Sequence, residues 1–261
     1  MDLPQLAAYL FDLDGTIYLG EDIIPGAPEA IARLKARGAG VMYITNKPLS
    51  KPDEYAEKLT RLGLPTTPEE IITSSMVLAD YLRDHEPGAL VFLIGEQVLR
   101  DDLAAAGMRL VEDWSDAEVV VLSWDRHFGY DKLNGALQAL LRGARLYATN
   151  PDVVCPVDVG EVVPDCGAII AAVHACSGRL PDYVAGKPGS MLPLGALARL
   201  GVKPADAALV GDRLETDIAC GNRAGMLTIA VLTGVADRET AEAVEGERRA
   251  DYVIESVAEL G

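Results

Sequence analysis

Short apolar runs alternate with stretches of helical periodicity along most of the chain, the pattern of an α/β protein with a parallel sheet. The first run predicts a buried strand over about 7–11, and a helix is predicted over about 27–37, with Ile31 and Leu34 on one face and Gly38 at its end. Residues 40–44 read as a second strand that runs straight into Thr45-Asn46. Pro52 suits the first turn of a helix reaching about Leu62. Near residue 88 the pattern restarts as though a new sheet began. Strands at 90–94, 119–122 and 146–148 alternate with helices at 96–106 and 131–142. After Gly178-Arg179-Leu180-Pro181 come a helix near 189–200 and strands at 207–210, 227–231 and 252–254.

Three of these apolar strands, the first, the second and the one at 207–210, end in polar residues. Ligands of open α/β sheets bind beyond the carboxyl ends of the strands. If the three are neighbours, Asp12, Asp14, Thr45, Asn46 and Asp212 converge on one crevice. Residues 81–180 carry strands and helices of their own and are expected to form a separate lobe. Residues 1–80 and 181–261 then form a discontinuous core.

Asp12 and Asp14 pose the first chemical question, because two carboxylates this close repel and titrate as a coupled pair. Asp-Gly is a common turn dipeptide, which accounts for Asp14-Gly15. It leaves Asp12 unexplained, since residues two apart on a strand share a face. A hard cation such as Mg²⁺, which commonly takes one or two carboxylates, accounts for both. The second acidic cluster, GDRLETD over 211–217, suits a helix start, with Asp212 as cap and Glu215 and Asp217 favoured by the helix dipole. That role does not conflict with Asp212 binding a metal. Lys187, in GKP, carries information only through its company.

Composition narrows the class. The 261 residues are 49% hydrophobic and 24% charged with a net charge of −17, which fits one large or two modest globular domains. Such an acidic chain is a poor partner for a phosphate backbone, so nucleic acid is excluded. No apolar run is long enough to span a membrane, and the N-terminus lacks a basic region followed by an apolar stretch. The four cysteines show no CxxC pairing, which argues for reduced thiols and against zinc. A soluble, cytoplasmic protein is expected.

Taken in order, DLDGT, TN, GKP and GDRLETD resemble the haloacid dehalogenase superfamily of phosphatases. The segments DRHFGYDKL (125–133), ATNPD (148–152) and PDCGAIIAAV (164–173) resemble the inserted cap of its NagD-like branch, which also includes pyridoxal-phosphate and phosphoglycolate phosphatases. The resemblance implies a Rossmann-like parallel-sheet core with an inserted α/β cap. It also implies Mg²⁺-dependent hydrolysis of small phosphomonoesters, such as phosphosugars and p-nitrophenyl phosphate, through an aspartyl phosphate. Asp12 is then the nucleophile, Asp14 the general acid and base, and Thr45, Asn46 and Lys187 the phosphate ligands. Mg²⁺ takes the Asp12 carboxylate, the Asp14 carbonyl and Asp212, with Asp217 behind them. The chain departs from the usual pattern at Lys47, at Ser123-Trp124 and over 154–158, all of which bear on the substrate rather than the reaction. Trp124 reads either as a core tryptophan or, with the loop around Cys155 and Asp158, as a wall of the leaving-group cleft. A small phosphorylated metabolite is the expected partner, and a homodimer is compatible with the sequence. The competing class is a receiver-like phospho-acceptor domain. Such domains are about half this length and have no inserted lobe. A nucleotide-binding protein lacks its signature here, since neither GxxxxGK[ST] nor GxGxxG is present.

Overall fold

The computed structural model describes residues 4–158 and 161–261, the side chains of 156–158 excepted. β1 (Ala8–Phe11) is apolar and buried throughout, as a central strand covered on both faces must be. A short hairpin of β2 (Tyr18–Leu19) and β3 (Asp22–Ile23) leads to α1 (Ala27–Ala36), which buries Ala27, Ala30, Ile31 and Leu34 at helical spacing. β4 (Gly40–Thr45), α2 (Pro52–Arg61) and β5 (Ile71–Thr73) follow. The next series runs α3 (Ser74–His85), β6 (Leu90–Ile94), α4 (Gln97–Ala105), β7 (Arg109–Val111), β8 (Val119–Leu122), α5 (Tyr130–Leu141) and β9 (Arg145–Ala148). An antiparallel hairpin of β10 (Val154–Asp158) and β11 (Glu161–Pro164) precedes α6 (Cys166–Ser177) and β12 (Tyr183–Val184). The chain ends with α7 (Met191–Leu200), β13 (Ala207–Gly211), a π-helical turn over Leu214–Ile218, α8 (Ala219–Ala224), β14 (Leu227–Val231), α9 (Arg238–Ala243) and β15 (Tyr252–Ile254).

These elements form two compact units. The first comprises the chain up to Thr45, Pro52–Ile72 and Lys187–Gly261, and the second Asn46–Lys51 and Thr73–Gly186. The division differs from the expected breaks at 80/81 and 180/181, for three reasons of packing. Helix α3 lies against α4, β12 pairs with β9, and Asn46 is hydrogen-bonded to both Ser74 and Asp152. Residues 73–80, 181–186 and 46–51 therefore belong with the second unit.

The first unit holds a six-stranded sheet in the order β15-β14-β13-β1-β4-β5, with β1 parallel to both β13 and β4. Chain order runs one way from β1 through β4 to β5 and the other way from β13 through β14 to β15. The carboxyl end of β1 is thus a topological switch point, where open sheets bind ligands. Tyr9, Phe11, Ile31, Leu34, Tyr43 and Val210 anchor the core of this unit. The second unit holds its own parallel sheet, β12-β9-β8-β6-β7, packed around Phe92, Ile94, Val120, Leu122, Leu140 and Val173. Burying a side chain of that size contributes about 1.5–3 kcal/mol, so each unit has its own source of stability. Among the described residues, no helix is long and apolar enough to cross a membrane.

Candidate active site

Register builds the site in the first unit. Phe11 pairs with Val210 on one side and with Tyr43 on the other, so the residues just beyond it, Asp12, Thr45 and Asp212, come to the same edge of the sheet. The Asp12 backbone N–H donates to Val210 O at 2.9 Å, which carries the ladder one step past the strand and fixes the Asp12 backbone beside β13. Asp14 lies beyond a turn closed by Gly15 N donating to Tyr18 O at 2.8 Å, and its side chain is exposed whereas Asp12 is buried.

Lys187, only 3% exposed, lies among the acids. Its Nζ donates to Asp12 Oδ1 and, at 2.6 Å, to Asp217 Oδ1. Burial alone would lower the Lys187 pKa, but Asp12 and Asp217 outweigh it and hold the ammonium above its ordinary range. Asp217 reaches back because the chain after Asp212 turns through a π-helical step, with Ile218 N bonded to Arg213 O across five residues. Its second oxygen accepts from Arg213 N at 3.0 Å, so both Asp217 oxygens have protein donors.

Asp212 is different. Its Oδ2 accepts from Val235 N at 2.8 Å, while its buried Oδ1 has no hydrogen-bond partner. Two glycines make room for this carboxylate. A Cβ on Gly15 would lie 2.4 Å from Asp212 Oδ2 and one on Gly234 2.0 Å from it, and Gly15 also holds a φ of +85° that an L side chain resists. Burial raises the Asp212 carboxyl to about 6, with the charge of Asp217 adding to it. Burial likewise pushes Asp12 well up against the pull of Lys187, and Asp217 and Asp212 push it further.

Ligand oxygens of Asp12, Asp212 and Asp217 lie within 4.8 Å of one another. Three carboxylates against one ammonium leave two negative charges uncompensated, and one buried oxygen lacks any donor. That donor set fits a hard divalent cation, with Asp12 and Asp212 as ligands and Asp217, already bonded on both oxygens, as the group that orients them. Among the described residues, the Asp14 carboxylate is not part of this cluster.

The structure brings Asp12, Lys187, Asp212 and Asp217 together and sets Thr45 at the end of β4 beside β1. Asn46 belongs to the second unit, where its Nδ2 donates to Asp152. Trp124, 4% exposed, is buried and also lines a cavity of about 630 Å³ in that unit, with Lys47, Leu49, Phe128, Val163 and Ile169. The tryptophan is thus both a core side chain and part of that cavity's wall. Cys155, half-buried on β10, does not line this cavity, and the side chain of Asp158 lies outside the described residues. Sequence reasoning passed over Gly234 and Val235, which form the seat of Asp212 from more than twenty residues away. No local signal marks them.

Two family models match the chain, one described as haloacid dehalogenase-like hydrolase over residues 9–109 and one as HAD-hydrolase-like over 184–260. An acid sugar phosphatase of Staphylococcus aureus is 38% identical over 237 residues, covering 91% of this chain and 90% of the relative. The structure of NagD from E. coli K-12 aligns with a TM-score of 0.90 at 30% identity, covering 98% of both chains. A glycerol phosphate phosphatase from Mycobacterium tuberculosis, in complex with magnesium, aligns with a TM-score of 0.90 at 33% identity, covering 97% of this chain and 76% of that one. The order of acidic strand ends, the lysine between them and these similarities lead to one assignment: the chain belongs to the haloacid dehalogenase-like hydrolases, among the NagD-like phosphatases.

Proposed function

We propose that the chain hydrolyses small phosphomonoesters, of the phosphosugar and p-nitrophenyl phosphate type, through an aspartyl phosphate on Asp12, with Mg²⁺ as cofactor. The cluster of Asp12, Asp212 and Asp217 around Lys187 carries this reading. A carboxylate oxygen of Asp12 attacks phosphorus, and the bond to the leaving oxygen breaks. Asp14, at the exposed turn, gives that oxygen its proton. Asp14 then takes a proton from water, whose oxygen attacks phosphorus, releasing inorganic phosphate and restoring Asp12. Thr45, Asn46 and Lys187 hold the phosphoryl oxygens, and the fixed charge of Lys187 needs no reorganisation as negative charge moves. Asp12, Asp212 and the Asp14 carbonyl would hold the cation, which would supply charge stabilisation to the phosphoryl group.

The second unit is the cap in this reading, and it selects the leaving group. Of the three residues expected to contact it, Trp124 has the support of the cavity wall. Cys155 and Asp158 are assigned by resemblance alone. Specificity for pyridoxal phosphate or phosphoglycolate is the narrower alternative within the same reaction. The test is phosphate release from a panel of sugar phosphates, glycerol phosphate, phosphoglycolate, pyridoxal phosphate, nucleotides and p-nitrophenyl phosphate. It is run with metal-stripped protein, before and after Mg²⁺ is restored. Mg²⁺-dependent turnover of several small esters is expected. No release from any of them would sink the reading, and a single strongly preferred ester would replace it with the narrower one.

A further inference from the structure

Asn46 follows Thr45 directly and is held from three sides within its own unit. Its Nδ2 donates to Asp152 Oδ2 at 2.9 Å, and its backbone carbonyl accepts from Ser74 Oγ at 2.7 Å. Its Oδ1 lies over Gly186, where an added Cβ would come within 2.4 Å of it. Asp152 settles which end of the amide is which, because an ionised carboxylate only accepts hydrogen bonds. Asn150 is set by the same logic. Its Nδ2 donates to the same Asp152 oxygen at 3.1 Å, and its Oδ1 accepts from Thr149 Oγ1 at 2.8 Å. Thr149 also fixes Gly186, whose N–H donates to the Thr149 carbonyl at 2.7 Å. The network therefore ends one residue along the chain from Thr45 on one side and one residue from Lys187 on the other. Asp152 stands 106 residues from Asn46, so neither short motif explains it.

We propose that Asp152 is a positioning residue for phosphoryl transfer, acting through the Asn46 amide; the inference rests on the phosphatase reading above. The amide has two N–H donors in one plane, and when Asp152 takes one, the direction of the other is fixed. Turned by half a revolution, the amide would offer an oxygen in place of its N–H donors. Asp152 makes that orientation unfavourable, because two oxygens would then face each other without a hydrogen between them. The carboxylate thus keeps Asn46 competent without touching substrate.

The test compares wild type with Asp152→Ala, Asp152→Asn, Asn46→Ala and the double Asn46→Ala/Asp152→Ala variant on p-nitrophenyl phosphate, with inhibition by inorganic phosphate as a second readout. Asp152→Ala is expected to lower kcat/KM by about tenfold or more, the size of a lost charge-assisted hydrogen bond, and to weaken phosphate inhibition. Asp152→Asn should recover to within about threefold of wild type, because Asn150 steers its carbonyl oxygen toward the shared donors. The double variant should fall no further than Asn46→Ala alone, since the carboxylate acts only through that amide. If Asp152→Ala melts well below wild type, Asp152→Ser takes its place in the cycle. Additive losses in the double variant overturn the proposal, and so does an alanine variant with wild-type kcat/KM. An asparagine variant as impaired as alanine also overturns it. A wild type without turnover removes the phosphatase reading and this inference together, whereas additive losses on an active wild type remove this inference alone.

Discussion

The charged cluster of the first unit and the cavity of the second are built on opposite principles. Asp12, Lys187, Asp212 and Asp217 are all buried, and each of the three acids is bonded to a named donor. The cavity is walled mainly by Trp124, Phe128, Val163, Pro164, Ile169 and Leu49, with Lys47, Asp125, Arg126 and Asp165 as its charged members. Arg126 is already held by Glu96 through bonds of 2.6 Å from both Nε and Nη2. Buried charges without partners are costly, so the first site has almost no freedom to vary. Apolar walls exchange shape at a cost below about 1.5 kcal/mol when volume is kept. The cluster is therefore fixed by its charges, while the cavity can change shape at small cost.

The sharpest way to break this contrast is to remove the nucleophile. Asp12→Asn is expected to lower kcat on p-nitrophenyl phosphate by more than about a thousandfold, with far-ultraviolet circular dichroism unchanged. Wild-type turnover in that variant would take the chemistry out of the cluster altogether.

A second, intermediate effect comes from pH and metal. The Asp212 carboxyl, raised to about 6, keeps its proton in the folded state at pH values where the unfolded chain has lost it. Between roughly pH 4 and pH 6 the folded state thus binds more protons, so the stability of metal-free protein falls as pH rises through that window. A cation must displace the same proton, so its binding strengthens over the same range. The rise in melting temperature on adding Mg²⁺ should therefore be larger at pH 7.5 than at pH 5. Equal shifts at both pH values would mean that these carboxylates do not hold the ion.

The smallest effect is expected in the cavity. Trp124→Leu should raise KM severalfold for p-nitrophenyl phosphate while leaving a small sugar phosphate nearly unchanged, since lost stacking area matters only to a flat leaving group. A lower melting temperature with unchanged relative rates would leave Trp124 as core alone.

The same contrast governs what the sequence disclosed. β1, β4 and β13 are legible because central parallel strands are uniformly apolar, and their acidic ends stand out against that background. The four charged side chains of the cluster were all marked by short motifs. Helix α3 was missed because it opens on Ser74-Ser75 and its charges lie at its far end, and α6 because its apolar residues cover too much of its surface to show a stripe. The β10–β11 hairpin leaves Val154 and Val162 exposed, so it lacks the alternation that betrays a half-buried strand. Gly234, Val235 and Asp152 act on residues far away in sequence, and only the folded chain brings them into register with Asp212 and Asn46.

The wall of the second unit's cavity draws on two stretches of chain that are not contiguous. Lys47 and Leu49 come from the short excursion at residues 46–51, and the other lining residues from 124–169. A protein engineer transplanting this module into a relative by cutting at 73 and 186 would leave Lys47 and Leu49 behind. The recipient would keep its own residues at those two places, and the graft would carry only part of the donor's cavity wall. Moving the whole cavity needs a second fragment of six residues, and natural recombination that moves only the long insert would create hybrid pockets rather than exchanged ones.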